Sequence, residues 1–448
     1  MNSFTRRQAI RLYELATGRR ILTRLDELNR TQWQSREELL ALQQDKLHRL
    51  LKHAYTFVPY YRRLFDQIGF QPDDILTDSA SFQKIPTLSK AIINENFDDL
   101  ITTDSSRQKG LTLNHTGGST GRRLTFIQDN NFRDFVTADI HRHIQWTGWR
   151  FGEPHAYLYG ADYEVATQKA VRTRLMDWAL NRFVSSAYTL SEASMAAFVQ
   201  DIRRKRPKVL FGYASAMARF AEFVQEHHLD DIKFSGMLST AEVLHPERRE
   251  LVERTFGCKI LDRYGTRELG GIGCECPEHI GLHISVENVY VEVLRDEAPV
   301  PIGEEGDIVI TNLNNYGMPF IRYHVEDLGQ LSDMACRCGR GLPMIQVVSG
   351  RASDLLETKD GRVVHASFFT HTFFDMREVK QFQITQKSYD HVVVSLVERQ
   401  KLGADRLTFI EHHIKDTMGS DVKVEIELLD AIPPKPSGKH RFIVSEIQ

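Results

Sequence analysis

The chain has 448 residues, 41% hydrophobic and 26% charged, with a formal net charge of −3. That length exceeds what one hydrophobic core holds, so two or three domains are expected, and the lack of a long basic run argues against a nucleic-acid binder. Five cysteines are too few for a disulfide scaffold; they indicate a reducing compartment, with the two Cys-x-Cys pairs as a candidate metal site.

The opening run Met1-Asn2-Ser3-Phe4-Thr5-Arg6-Arg7 has twin arginines, as an export signal does. Arg11, Glu14, Arg19 and Arg20, however, stand where such a signal needs an apolar core. An amphipathic surface helix and a cytoplasmic protein are expected, since no stretch approaches the ~20 apolar residues of a membrane span. Residues 1–100 read as helical, with Leu39, Leu40, Leu42, Leu47, Leu50 and Leu51 forming an apolar stripe that Pro59-Tyr60-Tyr61 interrupts.

From residue 111 to 311, β-rich runs at 209–211, 259–261, 289–294 and 307–311 alternate with helical stretches, which predicts an α/β layered domain. His141 and His143, flanking Arg142 on a helix, are expected in solvent. Arg203-Arg204-Lys205-Arg206 reads as a helix end whose charge complements the dipole before Pro207. Cys258 is expected in a strand as core. Over the last hundred residues, Val392-Val393-Val394 reads as a strand. Leu407, Ile410, Ile414 and Met418 form the buried stripe of a helix, and residues 422–426 alternate like a strand with one exposed face. The expected division is a large N-terminal α/β domain over 1–349, opened by the helical segment 1–100, and a small mobile α+β domain over 350–448.

The strongest local signal is His115-Thr116-Gly117-Gly118-Ser119-Thr120-Gly121-Arg122-Arg123, with β-rich sequence on both sides. Glycines let backbone N–H groups converge on an anion, and the hydroxyls add donors, so the composition is that of a phosphate cradle; a glycine-rich hairpin turn is the competing reading. No Gly-Lys-Ser/Thr follows, so the loop is not a Walker A motif. Tyr264-Gly265-Thr266-Arg267-Glu268 follows a predicted strand. Asp327 lies in Ile321-Arg322-Tyr323-His324-Val325-Glu326-Asp327-Leu328. Gly350-Arg351-Ala352-Ser353-Asp354 and Pro436-Ser437-Gly438-Lys439 complete the set. Each alone is commonplace.

In this order the five motifs resemble the adenylate-forming superfamily of acyl-CoA synthetases, adenylation domains and luciferases. Within it the chain is similar to the phenylacetate–CoA ligase branch, particularly its CapK-like members associated with surface-polysaccharide genes. The likeness covers nearly the whole chain, including Pro59-Tyr60-Tyr61 and Ile85-Pro86-Thr87-Leu88-Ser89-Lys90. It implies that Thr116, Gly117, Gly118, Ser119, Thr120 and Gly121 hold the β- and γ-phosphates of ATP. Glu268 is then the Mg²⁺ ligand, carboxylate suiting a hard cation. Tyr264 faces adenine, with Gly265, Thr266 and Arg267 beside it and Ser239, Thr240, Ala241 and Glu242 opposite. Asp327 takes the ribose hydroxyls, helped by Arg351. Lys439 reaches between the substrate carboxylate and the α-phosphate, Ser353 is the hinge, and Tyr213 and Gly236 border the acid pocket.

The chain departs from the family pattern at several positions. Arg123 replaces a usual proline, Arg267 a small hydroxyl residue, Glu326 a common glycine, and Ser353 an Asp or Lys. Residues 359–365, Lys359-Asp360-Gly361-Arg362-Val363-Val364-His365, lack the Gly-x-x-(Ile/Val)-x-Pro pattern of standard CoA ligases. Cys276, His283, Cys336 and Cys338 resemble the structural zinc ligands of related enzymes, with Cys274 and His279 as substitutes and buried free thiols as the alternative.

The implied reaction joins a small-molecule carboxylic acid to ATP as an acyl-adenylate. The acyl group then passes to CoA by default, or to an amine in an amide-ligase alternative. A non-catalytic nucleotide- or acyl-binding protein is a second class, and a P-loop kinase a third, which the missing Walker lysine opposes. Neither the acid nor the oligomeric state is legible.

Overall fold

The computed structural model describes residues 3–115, 124–159, 171–185, 192–241, 243–349, 355–359, 363–365, 373, 376, 378–430, 432 and 443–447. Helices come first: α1 (Ser3–Thr17), α2 (Ile21–Thr31), α3 (Arg36–Phe57), α4 (Pro59–Ile68), α5 (Asp74–Thr77) and α6 (Lys90–Glu95). Ser35 starts α3 with a capping box, its hydroxyl accepting from the Glu38 N–H while the Glu38 carboxylate accepts from the Ser35 N–H. Leu39, Leu47, Leu50 and Leu51 are buried along α3, whereas Leu40 is exposed, so the stripe is narrower than expected. Pro59 opens a new helix instead of ending helical structure, because a first-turn proline has no needed N–H to lose.

A hairpin follows, β1 (Thr112–His115) and β2 (Thr125–Gln128), antiparallel with His115 opposite Thr125. Then come α7 (Asn130–Trp146), β3 (His155–Leu158), α8 (Val171–Leu180), β4 (Arg182–Ser185), α9 (Glu192–Lys205), β5 (Val209–Tyr213), α10 (Ala214–Glu226), β6 (Gly236–Thr240), α11 (Pro246–Phe256) and β7 (Ile260–Thr266). The antiparallel run is β8 (Gly270–Glu275), β9 (Leu282–Ile284), β10 (Val289–Arg295), β11 (Ala298–Pro299), β12 (Gly306–Asn312), β13 (Tyr323–Ser332) and β14 (Met344–Ser349). Cys258 precedes β7 rather than lying in it, and is half-buried.

These strands form one twelve-stranded sheet, β11-β10-β12-β13-β14-β9-β8-β7-β6-β5-β3-β4. From β4 to β7 all pairs are parallel, with helices between successive strands; from β7 outward all are antiparallel. β7 is therefore the seam between two sheet types. Parallel strands point their carboxyl ends to one rim, which brings Tyr213, Thr240 and the end of β7 together where open α/β sheets bind ligands.

The remaining strands are β15 (Leu355–Glu357), β16 (Val363–His365), β17 (Val379–Ser388), β18 (His391–Glu398), β19 (Lys423–Leu428) and β20 (Ile443–Ser445), with α12 (Ala404–Met418) before β19. A four-stranded sheet, β19-β18-β17-β20, buries Ile384, Val392 and Val394 against Ile410, Ile414 and Met418 of α12. That core draws only on residues from Leu356 onward, while the two larger cores draw on residues up to Ile345. The fold is α/β with a large layered part and a small α+β part.

Candidate active site and metal centre

The segment after β7 and the start of β13 meet through two tyrosines. The Tyr264 hydroxyl donates to Asp327 Oδ2 at 2.6 Å, and the Tyr323 hydroxyl donates to Glu268 Oε1 at 3.2 Å. Glu268 and Asp327, distant in sequence, thus share one site. Burial pushes the Glu268 carboxyl above its ordinary range, opposed by its own backbone N–H, the Tyr323 hydroxyl and the charge of Lys90. Burial likewise raises the Tyr264 phenol, and the neighbouring Asp327 charge adds to the shift.

Gly265 is required where it stands, because a Cβ there would lie 2.4 Å from the Gly270 carbonyl across the turn. The Thr266 hydroxyl accepts the Leu269 N–H at 3.1 Å and tightens the same turn. Arg267 donates to the His115 carbonyl at 3.3 Å, and Gln128 donates to the Arg267 carbonyl at 2.9 Å. The β1–β2 stem is therefore fastened beside Glu268. Thr116, Gly117, Gly118, Ser119, Thr120 and Gly121 lie outside the described residues, as do Glu242, Arg351, Ser353 and Lys439.

Ser239 turns its hydroxyl onto Asp262 Oδ1 at 2.7 Å, and burial raises that carboxyl to about 6. Ala241, next after β6, adopts the left-handed region at φ 69°. Glu326 does the same at φ 67°, which explains why glycine suits its position. Tyr213 ends β5, half-buried, its ring 4.8 Å from that of Tyr159. Gly236 corrects the expectation of a pocket residue: it starts β6, at the far end from Thr240, and a Cβ there would lie 2.7 Å from Thr147. Its smallness serves helix–sheet packing.

Two participants were not singled out from the sequence. Lys90, at the start of α6, places Nζ 2.5 Å from Glu326 Oε2. It arrives there because the Leu88 N–H donates to the Arg322 carbonyl and the His324 N–H to that of Leu88, at 2.7 and 3.0 Å. Tyr323 lay within the quoted run, but nothing local marked it as the partner of Glu268. The histidines beside Arg142 also need correction: His141, Arg142 and His143 are all buried. Arg142 donates to Asp139 at 2.7 Å, Glu287 at 2.8 Å and Ser285 at 3.0 Å, and Arg263 donates to His143 Nδ1 at 3.3 Å. The Arg142 pairs neutralise the two carboxylates, which lets the helix turn a polar face inward behind the strand that carries Tyr264.

Cys276, His283, Cys336 and Cys338 present four ligand atoms all within 4.8 Å of one another. The sulfurs of Cys276 and Cys336 are 3.5 Å apart, and Cys338 Sγ is 3.4 Å from His283 Nε2. Zn–S bonds of ~2.3 Å in a tetrahedron put sulfurs about 3.8 Å apart, so the set fits zinc. His283 Nδ1 lies 3.3 Å from the Leu342 carbonyl, an arrangement that leaves Nε2 for a metal. Burial pushes the Cys276 thiol up to about 12, and a bound cation would offset that penalty for the thiolate. Cys274 and His279 stand apart, Cys274 donating to the Glu275 carbonyl and His279 beside the Glu275 carboxylate.

Two family models match the chain: an AMP-binding enzyme over residues 177–316 and a CapK C-terminal domain over 356–446. Protein CapK of Staphylococcus aureus is 22% identical over 426 residues, 92% of this chain and 90% of that protein. The phenylacetate-coenzyme A ligase of Escherichia coli (strain K12) is 27% identical over 342 residues, 75% of each chain. Among solved structures, a 2-hydroxyisobutyryl-CoA ligase in the postadenylation state with R3-HIB-AMP aligns at a TM-score of 0.68 and 19% identity, covering 93% of this chain and 91% of that one. That last likeness establishes the fold.

Proposed function

The chain belongs to the adenylate-forming superfamily, in its phenylacetate–CoA ligase-like and CapK-like branch, and from that membership we propose that it is an AMP-forming ligase activating a carboxylic acid with ATP. One carboxylate oxygen attacks the α-phosphorus, the bond to the bridging oxygen breaks, and pyrophosphate leaves from an acyl-adenylate. Two anions must approach each other, so fixed dipoles and cations carry the barrier reduction.

In this reading the glycine-rich loop 116–121 cradles the β- and γ-phosphates, and Glu268 holds Mg²⁺, which offsets phosphate charge when bound. Tyr264 lies on adenine, with 239–242 and 265–267 around it, and Asp327 and Arg351 take the ribose. Lys439 bridges carboxylate and α-phosphate, delivered by a C-terminal domain, 350–448, that swings against 1–349 about Ser353. The zinc set is structural: it ties β8 and β9 to the loop between β13 and β14, keeping Glu268 and Asp327 in register.

The observation that carries the proposal is the pair of tyrosine hydrogen bonds joining Glu268 and Asp327 beside the stem of the glycine-rich loop. The test is carboxylate-dependent exchange of labelled pyrophosphate into ATP across a panel of acids. Exchange with at least one acid and Mg²⁺ is expected; production of ADP and phosphate, or nucleotide binding without exchange for any acid, defeats the proposal.

For the second step, CoA is the acceptor by family. An amine is a competing acceptor, since segment 359–365 departs from the standard CoA-ligase pattern. Acyl transfer assayed with CoA and with amino sugars and amino acids separates the two.

A further inference from the structure

Helix α1 carries three large apolar side chains outward. At roughly 100° per residue, Phe4, Leu15 and Leu12 span an arc of about 80°, and they are 68%, 83% and 67% exposed. The residues α1 buries are Arg6 and Ile10. Arg6 donates to the Trp178 carbonyl of α8, and its guanidinium lies 5.8 Å from the Trp178 ring centre. That ring is itself 55% exposed. Three large apolar groups therefore stand outward on one arc of α1, while Trp178 of α8 meets the helix on its other side, beside Arg6. Single exposed leucines are ordinary, but a cluster on one face marks an interaction surface.

Charge selects the partner. Arg11 borders the arc next to Phe4, and Arg20 follows just past the helix; both are exposed. Glu14, the acid of α1, points elsewhere, its carboxylate accepting the Leu22 N–H. Nearby acids are taken: Asp26 by Arg7 and Asp134 by Arg19. The outward face thus carries Phe4, Leu12 and Leu15 around the polar Gln8, and its border is Arg11, whose charge also acts on Glu14. A two-fold contact between copies would bring Arg11 toward its own image. An anionic lipid surface instead attracts both arginines, while the boundary of its acyl region accepts Phe and Leu.

We propose that α1 is a peripheral docking surface for an anionic phospholipid bilayer. The helix lies in the interface plane and spans nothing, and the proposal is independent of the adenylation reading. The test is flotation of the full-length protein with vesicles of phosphatidylcholine alone or mixed with phosphatidylglycerol. Binding to the mixed vesicles only is expected, weakened at high salt. The triple substitution F4S/L12S/L15S, at exposed positions that leave the core intact, abolishes it. Arg11→Glu, a second variant that retains the apolar groups, lowers partition on the order of tenfold or more. Circular dichroism and Tm confirm that both variants stay folded. Absence of binding to the mixed vesicles, or binding undiminished in the triple variant, overturns the proposal. So does a dimer in light scattering that the triple variant dissociates, since the face would then belong to a second copy.

Discussion

Glu326 adopts a left-handed backbone that costs a side-chain-bearing residue about 1–2 kcal/mol. Glu326→Gly and Glu326→Ala both lose the Lys90 contact, but only glycine relieves the backbone. Chemical denaturation is expected to find the glycine variant more stable than the alanine variant by about 1 kcal/mol; equal stabilities would mean the strain is not there. Tyr264→Phe removes the hydroxyl that orients Asp327, a hydrogen bond to a charged group worth about 1.5–3 kcal/mol. The expected result is a KM for ATP raised on the order of tenfold with a smaller change in kcat. His141 supplies a pH effect. Burial lowers its imidazole to about 4, its Nδ1 donates to the Thr137 carbonyl, and Nε2 is buried with no hydrogen-bond partner among the described residues. Because the unfolded chain protonates near the ordinary value of about 6.5, stability from the neutral ring is full above that pH and is lost as pH falls toward about 4. Urea midpoints at pH 7 and pH 5 are expected to differ less in His141→Phe than in the parent chain; an unchanged difference refutes the assignment.

The elements differ in how well the sequence announced them. Strand-end motifs were legible because each needs particular residue types at a turn, as Gly265 shows by its approach to Gly270. The gathering of Cys276, His283, Cys336 and Cys338 was legible because thiols and imidazole cluster for few reasons other than a metal. Removing the metal with a chelator is expected to lower Tm by several degrees and to weaken ATP binding as a consequence, with about one zinc per chain found by elemental analysis; full stability in metal-free protein would leave only buried thiols. The inward polar face of α7 was not legible. His141, Arg142 and His143 look solvated until Asp139, Ser285 and Glu287 are brought beside them, and the last two come from a distant loop. Arg142→Leu leaves two carboxylates buried without their main partner and is expected to cost about 3–5 kcal/mol. The partnership of Lys90 with Glu326 was hidden for the same reason, since it depends on a β-bridge between Leu88 and Tyr323.

At the scale of the whole molecule, the proposed mechanism separates binding from chemistry. Lys439→Ala is expected to abolish pyrophosphate exchange while ATP binding by calorimetry persists; retained exchange would remove the C-terminal part from the first step. The sheet seam at β7 has a related logic. One rim gathers parallel strand ends for binding, while the antiparallel half returns β13 with its aspartate to the same place. The bridge from Leu88 to Tyr323 also bears on how the protein is made. On the ribosome the segment carrying Leu88 leaves the exit tunnel more than two hundred residues ahead of Tyr323. At about 5–20 residues per second, it waits on the order of ten seconds or longer with its backbone groups unclaimed. Under the proposed function, the segment carrying Asp327 joins the segment carrying Glu268 only once synthesis is some three-quarters done.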